Sequence, residues 1–536
     1  MKPTPRVVAA SLVVIGAIAL GTLPLPSSSA PAPQVPRISI NAEPTSLDTG
    51  KTDEADDGVL IKQLFEGLTR LDKDGNPAPG VAERWHVSPD GKVYTFTLRR
   101  SARWSNGDPV TAHDFVYTYM RAFKPQSAVS TVSLLLYVVA NAREYHTGKI
   151  ADPGQVGFRA LDDHTLRIRL HTPAPLFLKS LATQAGFPVS RKVDEQTPAW
   201  ANEAATFVSN GPFRLAHWEH HRTLVFEPNP HYWARDQVKL NQIQIRIVTD
   251  IATVYKMFTD GQLDIAESLP LEVVGRLLAE RKALVIPEAR TWPVIFNHKV
   301  PPFGNTDIRK AFALAVNRLA LSEVLPGPVP LMGWIPFGLS SGTGEFRRQA
   351  GNLYVDNDVL AAREHLRRGL SALGVRQLPP VVMRTWNRPV NVKISQALVA
   401  QWKRALGIQV TSESMEEQVF IAAFNKGDFT LAQVSQYALY DDAYSLMQVL
   451  RSDWLQPPVG YRNPEVDRLL HAAEIETNLD KRTKLMIEAE RIAIGQDMAI
   501  APLLSGVRVL MQNPRLQNVY RYAILQDDFS RAWFRP

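Results

Sequence analysis

Alternation of apolar and polar positions marks strands from Arg37 to Asn41, from Val93 to Leu98 and from Gln242 to Val248, where Ile243, Ile245 and Ile247 share one face. Between Trp85 and the run Val93-Tyr94-Thr95-Phe96-Thr97-Leu98 stands Pro89-Asp90-Gly91, which predicts a hairpin. A second hairpin is predicted around His217 to Arg222, between Phe213-Arg214-Leu215 and Leu224-Val225-Phe226. Helical spacing replaces alternation at Leu60, Leu64, Phe65 and Leu68, after the polar segment Glu43 to Gly58. Asp72 to Gly75 is a turn signal. Asp307 is placed to cap a helix through Arg318, with Ile308, Phe312, Ala315 and Leu319 on one face. Asn463-Pro464 predicts a cap and first turn before Val466, Leu469 and Leu470, and Lys481 to Ile494 has strongly helical spacing. Strands interleaved with helices make a mixed α/β chain, with no short repeat and no linker dividing it into beads.

The first residues follow a different pattern. A basic start is followed by an apolar run from Val7 to Leu25, and Pro and Ser then crowd Pro24 to Pro36. This is the grammar of an export signal. The run is also just long enough to span a bilayer, so a retained tether through residues 7–25 is the alternative. Cleavage after Ser29, with Ser27 and Ser29 as the small residues, is the favoured reading, because cleavage after Ala30 or Ala32 would set Pro beside the broken bond. No later stretch has the roughly 18 uninterrupted apolar residues of a membrane span. The chain of 536 residues is long enough for three or four units of ordinary domain size. Its 45% hydrophobic content is that of a soluble globular protein.

Composition narrows the chemistry. There are no cysteines, which excludes disulfides, thiolate nucleophiles, Cys-ligated metals and a lipid anchor on an N-terminal cysteine. The net charge of +7 comes partly from Lys2 and Arg6, and the other basic residues are scattered among acids, which does not support nucleic-acid binding. His217, His220 and His221 are the densest histidine group, but neighbours in a hairpin point to opposite faces, so an exposed polar turn is the simpler reading. No HExxH, phosphate-loop or GxSxG pattern occurs; Ser341-Gly342-Thr343-Gly344 lacks the spacing and the lysine and reads as a flexible surface loop. The acid pairs Asp56/Asp57 and Asp441/Asp442 read as solvated caps or turns. Trp85, Tyr94, Phe96 and Trp104 stand on strand-like text and read as core, whereas Trp386 and Tyr440 lie in polar, turn-rich text and are candidates for lining a pocket. No nucleophile or metal constellation supports an enzyme.

An ordered set of motifs then carries a resemblance. It begins with Glu43-Pro44-Thr45-Ser46-Leu47-Asp48, Leu64-Phe65-Glu66-Gly67-Leu68 and Pro77-Ala78-Pro79-Gly80-Val81-Ala82-Glu83. It continues with Trp104-Ser105-Asn106-Gly107-Asp108-Pro109-Val110-Thr111-Ala112, Asp114-Phe115-Val116-Tyr117, Ser209-Asn210-Gly211-Pro212-Phe213 and Asn229-Pro230-His231-Tyr232-Trp233. Gly261-Gln262-Leu263-Asp264, Ile308-Arg309-Lys310-Ala311, Gly427-Asp428-Phe429 and Tyr461-Arg462-Asn463-Pro464-Glu465-Val466-Asp467 complete it. Spread over the whole mature chain, these segments resemble bacterial extracellular solute-binding proteins of family 5, the oligopeptide-binding receptors of ABC importers. They make sense as scaffold: Asn106-Gly107-Asp108-Pro109 sets a turn, and Thr111 and Asp114 cap the helix after it.

The resemblance implies an α/β, two-lobed periplasmic-binding-protein fold of class II and cluster C type, with an extra subdomain inserted in lobe 1. On that pattern residues 1–36 are leader; 37–66, 190–295 and 506–536 form lobe 1; 67–189 form the insertion; and 296–505 form lobe 2. It implies an exported monomer, periplasmic or at the cell surface, that encloses a peptide or peptide-like ligand between its lobes by a hinge motion and presents it to permease subunits. Cofactors, metals and nucleic acid have no part in it, and a membrane enters only through the leader. Peptide-binding members hold their ligand as an added strand. The candidate ligand-binding residues are Asp53, Glu54, Ala55, Trp386, Gln433, Ser435, Tyr437, Tyr440 and Asp441.

The charged anchors of that pattern are altered. The carboxylate that meets a peptide's α-amine is replaced by Leu439, with Asp441 two residues on and on the same side of an extended segment. Basic residues that meet the carboxylate are replaced by Asn391 and Gln433, and a tyrosine contact by Thr131; an acidic contact is kept as Asp53. An amine held by Asp53 and Asp441 is the expectation for a free peptide. Blocked, longer or non-peptide ligands, such as a metal chelate or an oligosaccharide, are the alternatives, as is a sensory surface protein on the same fold.

Overall fold

The computed structural model describes residues 34–52, 55–125, 132–453, 459–524 and 527–536; the leader, Asp53, Glu54 and Thr131 lie outside them. Ala55 opens the helix Ala55–Leu64. Among the described residues no helix is long and apolar enough to cross a membrane.

The chain is mixed α/β and two-lobed. One four-stranded sheet runs in the order Arg37–Ile40, Ile243–Ile247, Thr223–Pro228, Phe213–Glu219, its first pair parallel and the others antiparallel. A second, wholly antiparallel sheet runs Ala82–Val87, Val93–Leu98, Thr165–Arg169, Phe158–Asp162. Alternation decides which side chains enter the core: Tyr94, Phe96 and Leu98 point inward from Val93–Leu98 while their neighbours do not. Both sheets feed one continuous core that also takes in Trp104, Phe115, Trp200 and Phe213. Each such large apolar side chain contributes about 1.5–3 kcal/mol on burial.

The third sheet is built on two long antiparallel strands, Leu284–Phe296 and Ile500–Gln512. At one end Ile265–Ala266 pairs with Met511 and Gln512; at the other, Val294–Phe296 pairs with Leu431–Gln433, which leads on to the parallel strands Val381–Trp386 and Val410–Met415. The register slips between Pro287 and Thr291, around the charged pair Glu288 and Arg290, and again between Trp292 and Pro293. Two further cores flank this sheet, one around Trp334, Tyr444 and Met486, the other around Trp292, Phe312 and Trp402. Arginines without surface exposure tie them to backbone and acids. Arg318 reaches Asp356 at 2.9 Å and the carbonyls of Pro502, Ala313 and Val316, and Arg347 pairs with Glu490.

Several local expectations need correction. Asn305, not Asp307, caps the helix Thr306–Leu314, its Oδ1 accepting from Ile308 N at 3.1 Å. Asp307 instead binds His365 and Arg368, and the helix stops because Asn317 caps a new one, Arg318–Val324, on which Leu319 is exposed. The helix of the C-terminal half starts earlier than Lys481, at Leu479 under an Asn478 cap, and widens into a π-turn at Arg491–Gln496. Asp57 is no solvated cap: it is buried and accepts from Thr45 N, Thr45 Oγ and Thr52 Oγ, because a buried carboxylate must find donors. The Ser341–Gly344 loop is tied rather than loose; Ser341 is fully buried, donates to Gly344 O and accepts at its carbonyl from Thr483. His217 lies on a strand, and His220 sits in the turn against Glu43 at 2.7 Å and Glu203 at 3.3 Å.

His298 yields a pH prediction. Its Nε2 lies 2.9 Å from Ala499 O, and burial, helped by the Arg309 charge, pushes its pKa down from 6.5 to about 4. A histidine depressed on folding gives its full stability above pH 6.5, loses it as pH falls toward 4, and loses no more below that. Its share is on the order of 3 kcal/mol at most. The variant His298→Asn is therefore expected to flatten the stability profile between pH 6.5 and 4; an unchanged slope in urea titrations would exclude this residue as the cause.

Candidate functional site

The strands Val381–Trp386, Leu431–Gln433 and Leu284–Phe296 lie side by side, which sets Thr385, Gln433 and Val294 in one row. Gln433 is completely buried. Its Oε1 accepts from Thr385 Oγ at 2.9 Å and from Asn391 Nδ2 at 3.1 Å, and its Nε2 donates to Val434 O at 3.1 Å. Asn391 comes from the first turn of Pro389–Leu406, where Pro389 starts the helix right after the strand and so brings residue 391 back over the sheet. Two neutral amides thus satisfy each other in the interior.

Trp386 ends its strand edge-on to Phe420, with the Arg388 guanidinium 5.0 Å from its ring. Its indole Nε1 is buried and has no hydrogen-bond partner among the described residues. Beyond Gln433 the chain continues through half-buried Ser435 to the short strand Gln436–Tyr437, paired with Arg290 and Thr291. Tyr437 is one of the exposed large side chains of the protein, and its hydroxyl accepts from Arg290 Nη1 at 2.7 Å. Arg290 in turn meets Glu288 at 2.5 Å and lies over Trp292.

The last candidates part company. Tyr440 is buried, which, with the nearby charge of Asp442, raises its hydroxyl pKa well above the ordinary range. Asp442 forms a two-pronged pair with Arg482, at 2.8 and 2.9 Å, with both side chains sealed from solvent. Asp441 points the other way. Its Oδ1 accepts from Ser340 N at 3.0 Å, and its Oδ2 and carbonyl accept from Lys179 Nζ at 3.1 and 3.0 Å. Lys179 belongs to the helix Phe177–Ser180, which is anchored in the first core, so this ion pair joins elements of two different cores. Gly75 rests on the same carboxylate: its φ is +78°, and a Cβ there would stand 3.2 Å from Asp441 Oδ2. The reading of Asp441/Asp442 as solvated is corrected on both counts, since each acid has its own cation.

Thus Gln433, Asn391 and Thr385 lie together, Trp386 packs separately against Phe420, Tyr437 is held by Arg290, and Asp441 is taken up by Lys179. Reasoning from sequence missed Lys179, Glu288 and Arg290. A signal for the last two exists: they are the charged residues inside the otherwise apolar strand text from Leu284 to Phe296.

The model for the middle region of bacterial extracellular solute-binding proteins, family 5, matches residues 76–455. The dipeptide-binding protein DppE of Bacillus subtilis is 33% identical over 90% of this chain and 88% of its own length. The oligopeptide-binding protein OppA of Bacillus subtilis is 32% identical over 93% and 92%. Among solved structures, the periplasmic murein tripeptide-binding protein MppA in its unliganded open form superposes with a TM-score of 0.79 at 27% identity, covering 94% of this chain and 98% of that one.

Proposed function

This chain belongs to the bacterial extracellular solute-binding proteins of family 5, and we propose that it captures peptides or peptide-like ligands outside the cytoplasm and delivers them to the permease of an ABC importer. The observation that carries this reading is similarity to dipeptide- and oligopeptide-binding proteins along nearly the full length of the chain. The protein supplies affinity and closure and no chemistry. Lobe 1 comprises residues 37–66, 190–295 and 506–536, with 67–189 inserted in it, and lobe 2 comprises 296–505; the two long strands act as the hinge. The leader directs export and is removed after Ser29, and the mature protein acts as a monomer.

The ligand lies along Ser435 to Tyr437, whose backbone offers a strand edge to an extended chain, with Trp386 at one side; Asp53, Glu54 and Ala55 are the remaining candidate contacts. Gln433 and Tyr440 shape this wall from behind, since both are buried. Asp441 acts through Lys179, by holding the lobes together.

A second reading, capture of a non-peptide solute, draws on the neutral Asn391–Gln433 pair and on Leu439, positions that offer a zwitterion no charge. Native mass spectrometry of the gently purified mature protein separates the two. Co-purified short peptides are expected; a retained compound without peptide bonds would move the ligand class to the second reading.

A further inference from the structure

The sheet Ala82–Val87, Val93–Leu98, Thr165–Arg169, Phe158–Asp162 turns one face to the core and the other outward. Tyr94, Phe96, Leu166 and Ile168 enter the core, so alternation sends Thr95, Arg167 and Arg169 to the outer face. The register adds a third arginine, because Arg159 stands directly opposite Arg167 on the antiparallel neighbour. Arg169, two residues on from Arg167, is paired with Val93. Three exposed guanidinium side chains therefore share one patch.

Like charges set directly opposite each other on a sheet work against the pairing. An acid beside them would remove that cost, and none serves here. Arg167 and Arg169 make no side-chain hydrogen bond or ion pair among the described residues, and Arg159 reaches only the carbonyl of Gly154. The acids nearest in sequence are engaged elsewhere: Asp152 accepts from Gly154 N at 2.8 Å, Asp162 from His164 N at 2.8 Å, and Asp163 lies 3.6 Å from His113.

The patch is also a recess. Asn141 and residues 154–157 stand beside the strands and bound an open hollow of about 590 Å³ with Val93, Thr95 and the three arginines. This wall is fixed. Asn141, at φ +64°, donates from Nδ2 to Gln155 O at 2.9 Å. Gly157 donates to Ala140 O and accepts from Arg169 N, both at 2.8 Å. A Cβ on Gly157 would stand 2.2 Å from Arg169 O, so the wall approaches the strand as closely as glycine alone permits.

We propose that this recess binds a multiply charged phosphate group, at a site that shares no residue with the candidate ligand wall. A guanidinium matches a tetrahedral oxyanion with two parallel hydrogen bonds. One exposed pair gains little in water, but three cations acting on one polyvalent anion form a network and relieve the opposition of Arg159 and Arg167. A soluble oligophosphate and the headgroup of an anionic lipid offer the same chemistry.

Titration calorimetry of pyrophosphate into the full mature protein at low salt, and flotation with vesicles of phosphatidylglycerol against phosphatidylcholine, test the site and tell the two sources apart. Saturable binding of pyrophosphate assigns a soluble phosphate; binding only to phosphatidylglycerol vesicles assigns a headgroup. In either case Arg167→Gln with Arg169→Gln is expected to weaken binding at least about tenfold, the worth of one charge-assisted hydrogen bond. The control Arg281→Gln with Arg376→Gln removes the same charge from exposed arginines outside the recess and is expected to change binding by less than about twofold, because distant charges are screened. Without anion, Arg167→Gln with Arg169→Gln should melt no earlier than the wild type, since it removes a like-charge opposition; an earlier melt would mean that the arginines serve the fold and would overturn the proposal. Binding of neither probe by the wild type, or equal losses in the two double variants, overturns it as well, and each of these results leaves the peptide reading in place.

Discussion

Replacing Asp442 by alanine is expected to cost the folded protein about 3–5 kcal/mol, the usual consequence of leaving one member of a buried ion pair without its partner. Arg482 has two hydrogen bonds to this carboxylate, at 2.8 and 2.9 Å, and essentially no solvent to replace them. Asp442 also accepts from Tyr444 N at 2.7 Å, which starts the helical turn Tyr444–Met447 behind the candidate wall. The loss therefore falls on the segment that shapes the cleft as well as on global stability. Urea unfolding followed by tryptophan fluorescence measures it. The double variant Asp442→Leu with Arg482→Met is expected to recover most of the loss, because it leaves no charge stranded. A single-variant loss below about 1 kcal/mol would show that the pair is no better than a surface bridge.

The second large effect is expected from Lys179→Met. Lys179 and Asp441 are each at least five-sixths buried and join side chains anchored in different cores. With residues 67–189 and 296–505 in separate lobes, as proposed above, a bond across them stabilises the arrangement in which they meet, and a ligand's apparent affinity includes it. Truncating one partner of such a pair costs about 2–5 kcal/mol, so ligand affinity is expected to fall by a factor of roughly 30 or more. Asp441→Leu added to Lys179→Met should cost little further, and small-angle scattering of the single variant should report a more open molecule. Additive losses in the double-mutant cycle would mean that the two residues act separately.

These two ion pairs show where reading the chain stops. Asp441 and Asp442 are adjacent, and adjacent acids in turn-rich text look alike. Their partners, Lys179 and Arg482, come from places 262 and 40 residues away, and no local pattern announces either. Asp57 followed the same course, buried on the hydroxyls of Thr45 and Thr52. Local grammar did better with elements. Both hairpins formed, the turn at Asp72 to Gly75 closed on Asn76, and Asn463 caps the helix that Pro464 begins. Boundaries slipped where two caps competed, as with Asn305 and Asp307. Asp53, Glu54 and Thr131 lie outside the described residues.

The family and the α/β architecture stood in the sequence, because turn chemistry, caps and apolar periodicity are local properties and the motifs that carry them recur in order along the chain. The expectation that Leu439, Asn391 and Gln433 stand in place of charged positions also came from residue identity alone. How the remaining charges are spent was decided only in three dimensions. Lys179 turns Asp441 into a bond between two cores, Asn391 donates to Gln433, and Arg508 bonds both Asp527 and Glu267. The reason is that pairing energy in a low-dielectric interior depends on distance and burial, which the topology of the long strands sets and the order of residues does not.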